Sequence, residues 1–354
     1  MTSMVDTFDV IPVVSMAQWR ESGADQSAFA RELVDVLHRV GFLALSDHGI
    51  DEALINRHFA MLEAFFDLPE ETKATIDKRK SPHFRGWERI GAELTDNKVD
   101  YREQLDLSTE NPTYPGDAVP AYLRLDGPNQ WLAEGELPGF RDTVTEYFAA
   151  TAELADELME VIAVGLGLPR DTFAKAFGER PLSLAKLISY PKSPDGEAGV
   201  NAHNDAGFLT VLMQHGVSGL QVVNPQGEWI DVPPIANTYV INIGEMLQSM
   251  TGNYLVATKH RVISPDKRYS TAYFHGPDLR ASIEPLSLGQ EFTDAVAASP
   301  RHSSAGFMAK RDELLAGDGG TQSAPVRIYG DMLWNYYVRS YPEVVRAHYP
   351  DLVE

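Results

Sequence analysis

Residues 200–214 read VNAHNDAGFLTVLMQ, and residues 258–274 read TKHRVISPDKRYSTAYF. Both stretches are built from short apolar runs that Gly, Pro or Asn interrupts. From Pro181 onward hydrophobic residues recur with a period of two, which is typical of the strands in a sandwich or barrel. The second half of the chain therefore predicts a mainly β fold.

Two histidines and one aspartate in these stretches form a candidate metal site. His203 and Asp205 are two residues apart, so in an extended segment their side chains leave the same face. His260 follows after 54 further residues, which is enough for strands and turns that bring it in from a neighbouring strand. A His-x-Asp pair alone arises often by chance. With the second histidine, however, the set is typical of non-haem Fe(II) oxygenases, whose ligands leave coordination positions open.

Arg268 and Ser270 lie just downstream and share one face of an extended strand. A guanidinium pairs with a carboxylate through two parallel hydrogen bonds, and a hydroxyl donates one more. The alternative is a solvated charge at a strand edge, which the neighbouring Lys267 favours. The residues that follow, STAYF, suit a strand that runs into a core better. The pair therefore predicts a carboxylate site beside the metal.

With these residues the chain resembles the Fe(II)/2-oxoglutarate-dependent oxygenases of the isopenicillin N synthase-like superfamily. That family carries His-x-Asp, a longer gap, a second His and, soon afterwards, Arg-x-Ser. Residues 40–50 (VGFLALSDHGI) and 65–73 (FFDLPEETK) are also similar to the family. Residues 249–262 and 269–282 look nearest to bacterial members such as the ethylene-forming enzyme.

The resemblance implies a double-stranded β-helix, the jelly roll, with flanking helices. It implies that Fe2+ is held by His203, Asp205 and His260. It also implies that the distal carboxylate of 2-oxoglutarate is held by Arg268, Ser270 and Tyr190. The expected reaction uses 2-oxoglutarate and O2, oxidises a small molecule and releases succinate and CO2. Hydroxylation is the default outcome, with desaturation or ring closure as alternatives.

Two positions depart from the family pattern. Asn204 stands where Thr is common, and Ile188 stands where plant members usually carry Asn. The second departure implies that one hydrogen bond near the cosubstrate is missing or comes from another group.

Two further functions stay open. A related oxidase uses iron and O2 without 2-oxoglutarate, and the Arg-x-Ser pair would then bind a substrate carboxylate. A non-catalytic jelly-roll binding module is the other alternative, and the intact ligand set argues against it.

Composition narrows the class of protein. Of 354 residues, 44% are hydrophobic and 23% charged, as in an ordinary globular protein. The formal charge of −21 repels phosphate backbones, so we expect no nucleic-acid partner. The absence of cysteine excludes disulfides and thiolate ligands. With neither an apolar leader nor a long apolar run, we expect a cytoplasmic enzyme with no membrane contact. The oligomeric state is not predicted.

Helical spacing is confined mainly to the first half of the chain and its end. It predicts helices over 27–40, 51–69 and 139–168. We therefore expect one catalytic unit in four parts: an N-terminal α/β region (1–130), a long supporting helix (131–180), the β-helix core (181–290) and a C-terminal helical extension (291–354).

The stretch from Lys78 to Pro128 is rich in Gly, Pro and charge, and it predicts loops and short strands near the mouth of the site. Arg85 in this stretch is a candidate contact for a substrate anion. The remaining single histidines carry no partner spacing, and we expect structural roles for them: His38, His48, His58 and His215.

Overall fold

The computed structural model describes residues 7–21, 25–95, 98–115, 120–194, 197–303 and 327–350. In these ranges the strands are β1 (Val13–Ser15), β2 (Phe42–Ser46), β3 (Gly86–Glu88), β4 (Leu94–Thr95), β5 (Lys98–Val99), β6 (Glu103–Ser108), β7 (Leu184–Tyr190), β8 (Val200–His203), β9 (Leu209–His215), β10 (Leu220–Val223), β11 (Trp229–Asp231), β12 (Tyr239–Ile243), β13 (His260–Val262), β14 (Arg268–His275), β15 (Ser282–Ile283) and β16 (Arg327–Ile328).

The α-helices in the same ranges are α1 (Ala17–Arg20), α2 (Gln26–Arg39), α3 (Glu52–Phe66), α4 (Glu70–Lys73), α5 (Phe140–Gly165), α6 (Ala174–Phe177), α7 (Glu245–Met250), α8 (Gln290–Ala298), α9 (Pro300–Ser303), α10 (Tyr329–Ser340) and α11 (Pro342–His348). Short 3-10 helices cover Ala74–Ile76, Lys78–Lys80 and Ala121–Leu125.

The strands form two main sheets. The larger has eight strands in the order β1-β2-β12-β9-β14-β7-β6-β3, and the smaller has four in the order β11-β10-β13-β8. Adjacent strands in both sheets are antiparallel, apart from the parallel pair β1 and β2. The mainly β architecture with flanking helices is the one that the sequence predicts.

Side chains alternate between the two faces of the larger sheet. We call the face that packs against the helices the helical face, and the face toward the smaller sheet the inner face. On β14, Thr271 and Tyr273 belong to the helical face, where a large apolar cluster joins the sheet to α2, α3 and α5. Ser270 alternates with them and belongs to the inner face. A second apolar cluster lies between the two sheets and includes Tyr190 and Val262. The candidate residues come from both sheets, with His203 and His260 on the smaller sheet and Arg268 and Ser270 on the inner face of the larger one.

The predicted helices form close to where the sequence placed them. Asp25 and Asp51 cap α2 and α3, since their carboxylates accept hydrogen bonds from the backbone N–H groups of Ala28 and Ala53. Helix α2 ends just before Gly41, which has a φ of +75°. A Cβ at this glycine would lie 2.2 Å from a backbone oxygen, so the chain can turn this closely only without a side chain.

The stretch from Lys78 to Pro128 contains more β-sheet than the predicted loops and short strands. Its strand β6 is six residues long and pairs with β7 along its whole length. Leu105 and Leu107 join the apolar cluster on the helical face, whereas Gln104 and Asp106 are buried on the inner face. Alternation of polar and apolar residues in a sequence does not distinguish a buried polar face from a solvent-exposed one.

The C-terminal end of the described chain is helical, as its spacing predicts. Phe84 packs against Trp334 and Tyr337 of α10 and against Tyr341 and Tyr349, which flank α11. Residues 304–326 and 351–354 of the expected C-terminal extension lie outside the described residues. In the part of the chain that is described, no helix combines the length and the apolar composition needed to cross a bilayer.

Candidate metal centre

Strands β8 and β13 bring His203, Asp205 and His260 together. His203 ends β8 and pairs directly with His260, the first residue of β13. The Oδ1 atom of Asp205 lies 3.6 Å from Nε2 of His203 and 3.7 Å from Nε2 of His260. One potential ligand atom from each residue lies within 4.8 Å of the other two. This donor set fits a ferrous ion, which takes two imidazoles and one carboxylate.

Backbone carbonyls fix which nitrogen each histidine can offer. Nδ1 of His203 lies 2.8 Å from the carbonyl oxygen of Asn201, and Nδ1 of His260 lies 3.1 Å from that of Thr258. A carbonyl only accepts, so Nδ1 carries the proton in both rings and Nε2 keeps its lone pair. Both lone pairs are therefore available on the side where Asp205 lies.

Asp205 is held in the matching orientation. Its Oδ2 accepts hydrogen bonds from the hydroxyl of Thr210 at 2.6 Å and the amide of Asn242 at 2.7 Å. Oδ1 remains directed at the two imidazoles, which suits binding through a single oxygen. Burial opposes the charge on this carboxyl, but His260, His203 and the hydrogen bonds outweigh it and hold the pKa of Asp205 well below its ordinary value.

The two imidazoles differ in how readily they take a proton. Burial and the nearby His203 lower the pKa of His260 to about 4. Burial has the same effect on His203, but its interaction with Asp205 outweighs burial and raises the pKa of His203. The site thus combines an ionised carboxylate with a neutral His260, which is the protonation that a metal ligand needs.

The loop after Asp205 is positioned by the start of α7. The backbone N–H of Glu245 donates to the carbonyl of Asp205 at 2.8 Å. Gly244 precedes it, and a Cβ there would lie 2.1 Å from the carbonyl oxygen of Gly207. Asn204, which departs from the family pattern, donates to the carbonyl of Ala257 at 2.7 Å and so ties this loop to the approach to His260.

Arg268 and Ser270 form a second polar site on the inner face. Each is 1% exposed, and Nε and Nη1 of Arg268 and the hydroxyl of Ser270 have no hydrogen-bond partner among the described residues. Nη2 of Arg268 donates to Gln214 at 2.9 Å, which fixes the guanidinium. The guanidinium lies 4.9 Å from the ring centroid of Tyr190. Unsatisfied buried donors are costly, so this set fits a carboxylate that would accept from all of them.

Ile188 lies beside this site and gives no hydrogen bond. It is paired with Ser270 on β14 and belongs to the apolar cluster between the sheets. Gln214, which is paired with Ser270 on the other side, is the polar side chain that contacts Arg268 instead.

Most of the polar contacts of Arg85 are with the backbone, although its Nε has no hydrogen-bond partner among the described residues. It is fully buried, and its guanidinium donates to the backbone carbonyls of His83 and of Leu125, the latter at 2.9 Å. Burial lowers its pKa. These contacts favour a structural role over a contact with a substrate anion.

The single histidines also sit in structural surroundings. His58 is buried, stacks on Tyr147 at 3.8 Å between ring centroids and contacts the hydroxyl of Thr271. His48 contacts Asn237, and His38 lies 2.7 Å from the carbonyl oxygen of Tyr254.

Several polar residues around the site were not singled out from the sequence. Asn242 is a polar residue within the otherwise apolar strand Tyr239–Ile243, and this feature of the sequence could have identified it as a residue of the site. Asp100 accepts hydrogen bonds from the backbone and the amide of Asn201, the residue whose carbonyl orients His203. Arg102 pairs with this aspartate at 3.3 Å. Neither residue has a spacing that relates it to a ligand in the sequence.

Two family models match the chain. The N-terminal region of non-haem dioxygenases in morphine synthesis matches residues 11–134. The 2OG-Fe(II) oxygenase superfamily matches residues 181–277, which contain all three candidate ligands.

Individual relatives and solved structures that are similar to this chain indicate the same family. The 2-oxoglutarate-dependent dioxygenase frbJ of Dothideomycetidae sp. is 35% identical, over 98% of this chain and 94% of the relative. Homoarginine-6-hydroxylase 2-ODD-233 of Oryza sativa is 32% identical, over 83% and 87%. Among solved structures, Neurospora crassa T7H in complex with alpha-KG and thymine superposes with a TM-score of 0.70 at 25% identity, over 96% of this chain and 97% of that one. The chain therefore belongs to the 2OG-Fe(II) oxygenase superfamily, as a dioxygenase that uses Fe2+, 2-oxoglutarate and O2.

Proposed function

We propose that His203, Asp205 and His260 hold the ferrous ion of this dioxygenase, and that Arg268, Ser270 and Tyr190 hold 2-oxoglutarate. The observation that carries the proposal is the pair of polar sites that the two sheets provide. One offers two imidazole nitrogens and a carboxylate oxygen within 4.8 Å of one another. The other offers buried N–H and O–H donors without partners among the described residues.

Each side chain has a defined task in this proposal. Asp205 and the two histidines supply three ligands and leave the remaining positions open. Arg268 and Ser270 neutralise and orient the distal carboxylate of 2-oxoglutarate, and the ring of Tyr190 packs against the guanidinium. When bound, the ferrous ion supplies the redox chemistry that couples O2 to both oxidations. In the default hydroxylation, one oxygen atom enters succinate with loss of CO2, and the other becomes the hydroxyl of the product.

The substrate in this proposal is a small molecule. Support comes from the relatives, since one is named a homoarginine hydroxylase and one solved structure contains thymine. We further propose that residues 1–130, 131–180, 181–290 and 291–354 act as one catalytic unit in the cytoplasm. Strands from the first and third of these parts share the eight-stranded sheet, which supports a single unit.

The 2-oxoglutarate site is tested by Arg268→Gln. Hydrogen bonds to charged groups contribute about 1.5–3 kcal/mol, so we expect KM for 2-oxoglutarate to rise about tenfold or more. The assay is succinate formation in air with Fe(II), with the exposed Arg170→Gln as the control. An unchanged KM for 2-oxoglutarate would overturn the assignment. If the wild-type enzyme consumed substrate and O2 without 2-oxoglutarate, the oxidase alternative would replace the proposal.

The metal assignment is tested by His203→Ala. We expect loss of both Fe(II) binding, measured by anaerobic titration, and succinate formation. Retained turnover in this variant would refute the ligand set. Binding of small molecules without any turnover in the wild-type protein would favour the binding-module alternative.

A further inference from the structure

Three residues at alternate positions line the inner face of β6 and its approach: Arg102, Gln104 and Asp106. We call them the β6 row. They are 7%, 1% and 4% exposed, so all three are more than nine-tenths buried. Each has one buried polar atom with no hydrogen-bond partner in the described ranges, namely Nε of Arg102, Oε1 of Gln104 and Oδ1 of Asp106. The row thus offers one unused donor and two unused acceptors.

Neighbouring charges explain why these particular atoms stay unused. The amide nitrogen of Gln104 donates to Glu88 at 2.9 Å, so the amide oxygen points the other way. Oδ2 of Asp106 accepts from Lys78 at 2.6 Å and from Lys186 at 3.1 Å, which leaves Oδ1 without a donor.

Arg102 is held in the same way, because one of its terminal nitrogens donates to Glu93 at 2.6 Å and leaves Nε unused. A buried polar atom without a hydrogen-bond partner costs about 1–3 kcal/mol. Three such atoms in one row therefore indicate that a molecule binds there.

The β6 row begins at the metal centre. Arg102 pairs with Asp100, which binds Asn201, whose carbonyl orients His203. Across the sheet, Gln104 is paired with Ile188, and Ile188 is paired with Ser270. Two strand spacings place Gln104 about 10 Å from the 2-oxoglutarate site. A molecule on the row would therefore lie beside the cosubstrate, with apolar Ile188 between them.

The charged groups around the row are balanced. Lys78, Lys186 and Arg102 pair with four carboxylates, which are Glu88, Glu93, Asp100 and Asp106. The fully buried Arg85 also interacts with Asp106, so four cations face four carboxylates. The unused atoms Oε1 of Gln104 and Oδ1 of Asp106 are both acceptors, and they suit a donor such as a protonated nitrogen.

We propose that the β6 row recognises the substrate, and that the substrate is a small amino acid whose protonated nitrogen binds Gln104 and Asp106 while its carboxylate binds Arg102. The inference rests on the proposed function, because it makes the row the substrate side of that site. Alternate residues on a strand are about 7 Å apart. The row therefore suits a molecule with its carboxylate and its cationic nitrogen at separate ends.

The experiment compares matched pairs of small molecules in the succinate assay. L-Lysine is paired with L-norleucine and L-arginine with L-citrulline, so the two members of each pair differ in charge at the end away from the carboxylate. We expect at least one cationic member to raise succinate formation about tenfold or more above its neutral partner. The inference is overturned if no ammonium or guanidinium compound exceeds its partner while 2-oxoglutarate turnover without substrate persists. Absence of any 2-oxoglutarate turnover would instead refute the proposed function.

Variants test whether the β6 row causes the preference for the cationic compound. Gln104→Leu removes an acceptor at nearly constant size, and Gln221→Leu is the control because that glutamine lies on the smaller sheet and contacts Asp231 and Arg261. We expect Gln104→Leu to lose the preference for the cationic member through a higher KM for that compound. A preference unchanged in this variant would overturn the role of Gln104. If the variant does not fold, the wild-type comparison still decides the inference.

Discussion

Among single residues, Asn242 is expected to affect Fe(II) binding although it is not itself a ligand. It donates to Oδ2 of Asp205 and so keeps Oδ1 directed at the two histidines. Loss of a partner that orients a ligand typically lowers metal affinity about 10–100-fold. We expect Asn242→Leu to weaken Fe(II) binding within this range, measured by anaerobic titration. Thr172→Val, which removes a hydroxyl exposed at the surface, serves as the control. Equal affinity in the two variants would contradict the role of Asn242.

His58 is expected to make stability depend on pH. Burial lowers its pKa from 6.5 to about 3, so the unfolded chain takes up a proton at a higher pH than the folded protein does. The contribution of neutral His58 to stability is therefore complete above pH 6.5 and is lost as the pH falls toward 3. By linkage the loss is about 2 kcal/mol at pH 5.

Urea unfolding of wild type and His58→Phe at pH 7.5 and pH 5 measures this effect. The variant cannot take up the proton, so its free energy of unfolding should fall by about 2 kcal/mol less than that of wild type. His215→Phe is the control, since that histidine is exposed. Parallel losses in wild type and His58→Phe would contradict the prediction.

Within the elements, the contact between α7 and the loop after β8 depends on a glycine. Gly244 has an ordinary φ of −95°, so its requirement is space: an added Cβ would lie 2.1 Å from the carbonyl oxygen of Gly207. We expect Gly244→Ala to displace the loop that follows Asp205, lowering the free energy of unfolding by about 2 kcal/mol and weakening Fe(II) binding. Gly207→Ala is the matched control, because nothing lies within 4 Å of its Cβ position. Similar losses in both variants would contradict the steric explanation.

The elements also show which parts of the molecule could be predicted from sequence. Helices α2, α3 and α5 and the alternating strands were predictable, because apolar periodicity and caps are local signals. The structural surroundings of Arg85 and the β6 row were not, since both depend on partners far away in the chain. Gln104 is buried only because β3 and β7 flank it, and a polar residue at an alternate position otherwise predicts a solvent-exposed face.

At the scale of the whole molecule, Glu93 joins three regions that are distant in sequence. Its carboxylate accepts from Arg102 at 2.6 Å, from Lys186 on β7 at 3.2 Å, and from the hydroxyls of Tyr336 and Tyr341 at 3.2 and 3.0 Å. The N-terminal region, the β-helix core and the C-terminal helices therefore meet at one buried charge.

Glu93→Gln should destabilise the molecule strongly, because it removes the carboxylate closest to the buried Arg102 and one of the two that pair with Lys186. Breaking a buried ion pair costs about 3–5 kcal/mol, whereas an exposed pair is worth about 1 kcal/mol or less. Urea unfolding at pH 7.5 should separate Glu93→Gln from Glu146→Gln, which removes the exposed partner of Arg57. Burial opposes the charge on Glu93, but Lys186 and Arg102 outweigh it and hold its pKa well below 4.5. The contribution of the carboxylate is thus present above pH 4.5 and is lost as the pH falls further, so the gap between wild type and Glu93→Gln should narrow in acid. Equal stability of the two variants at pH 7.5, or a gap that widens in acid, would show that Glu93 does not hold the three regions together.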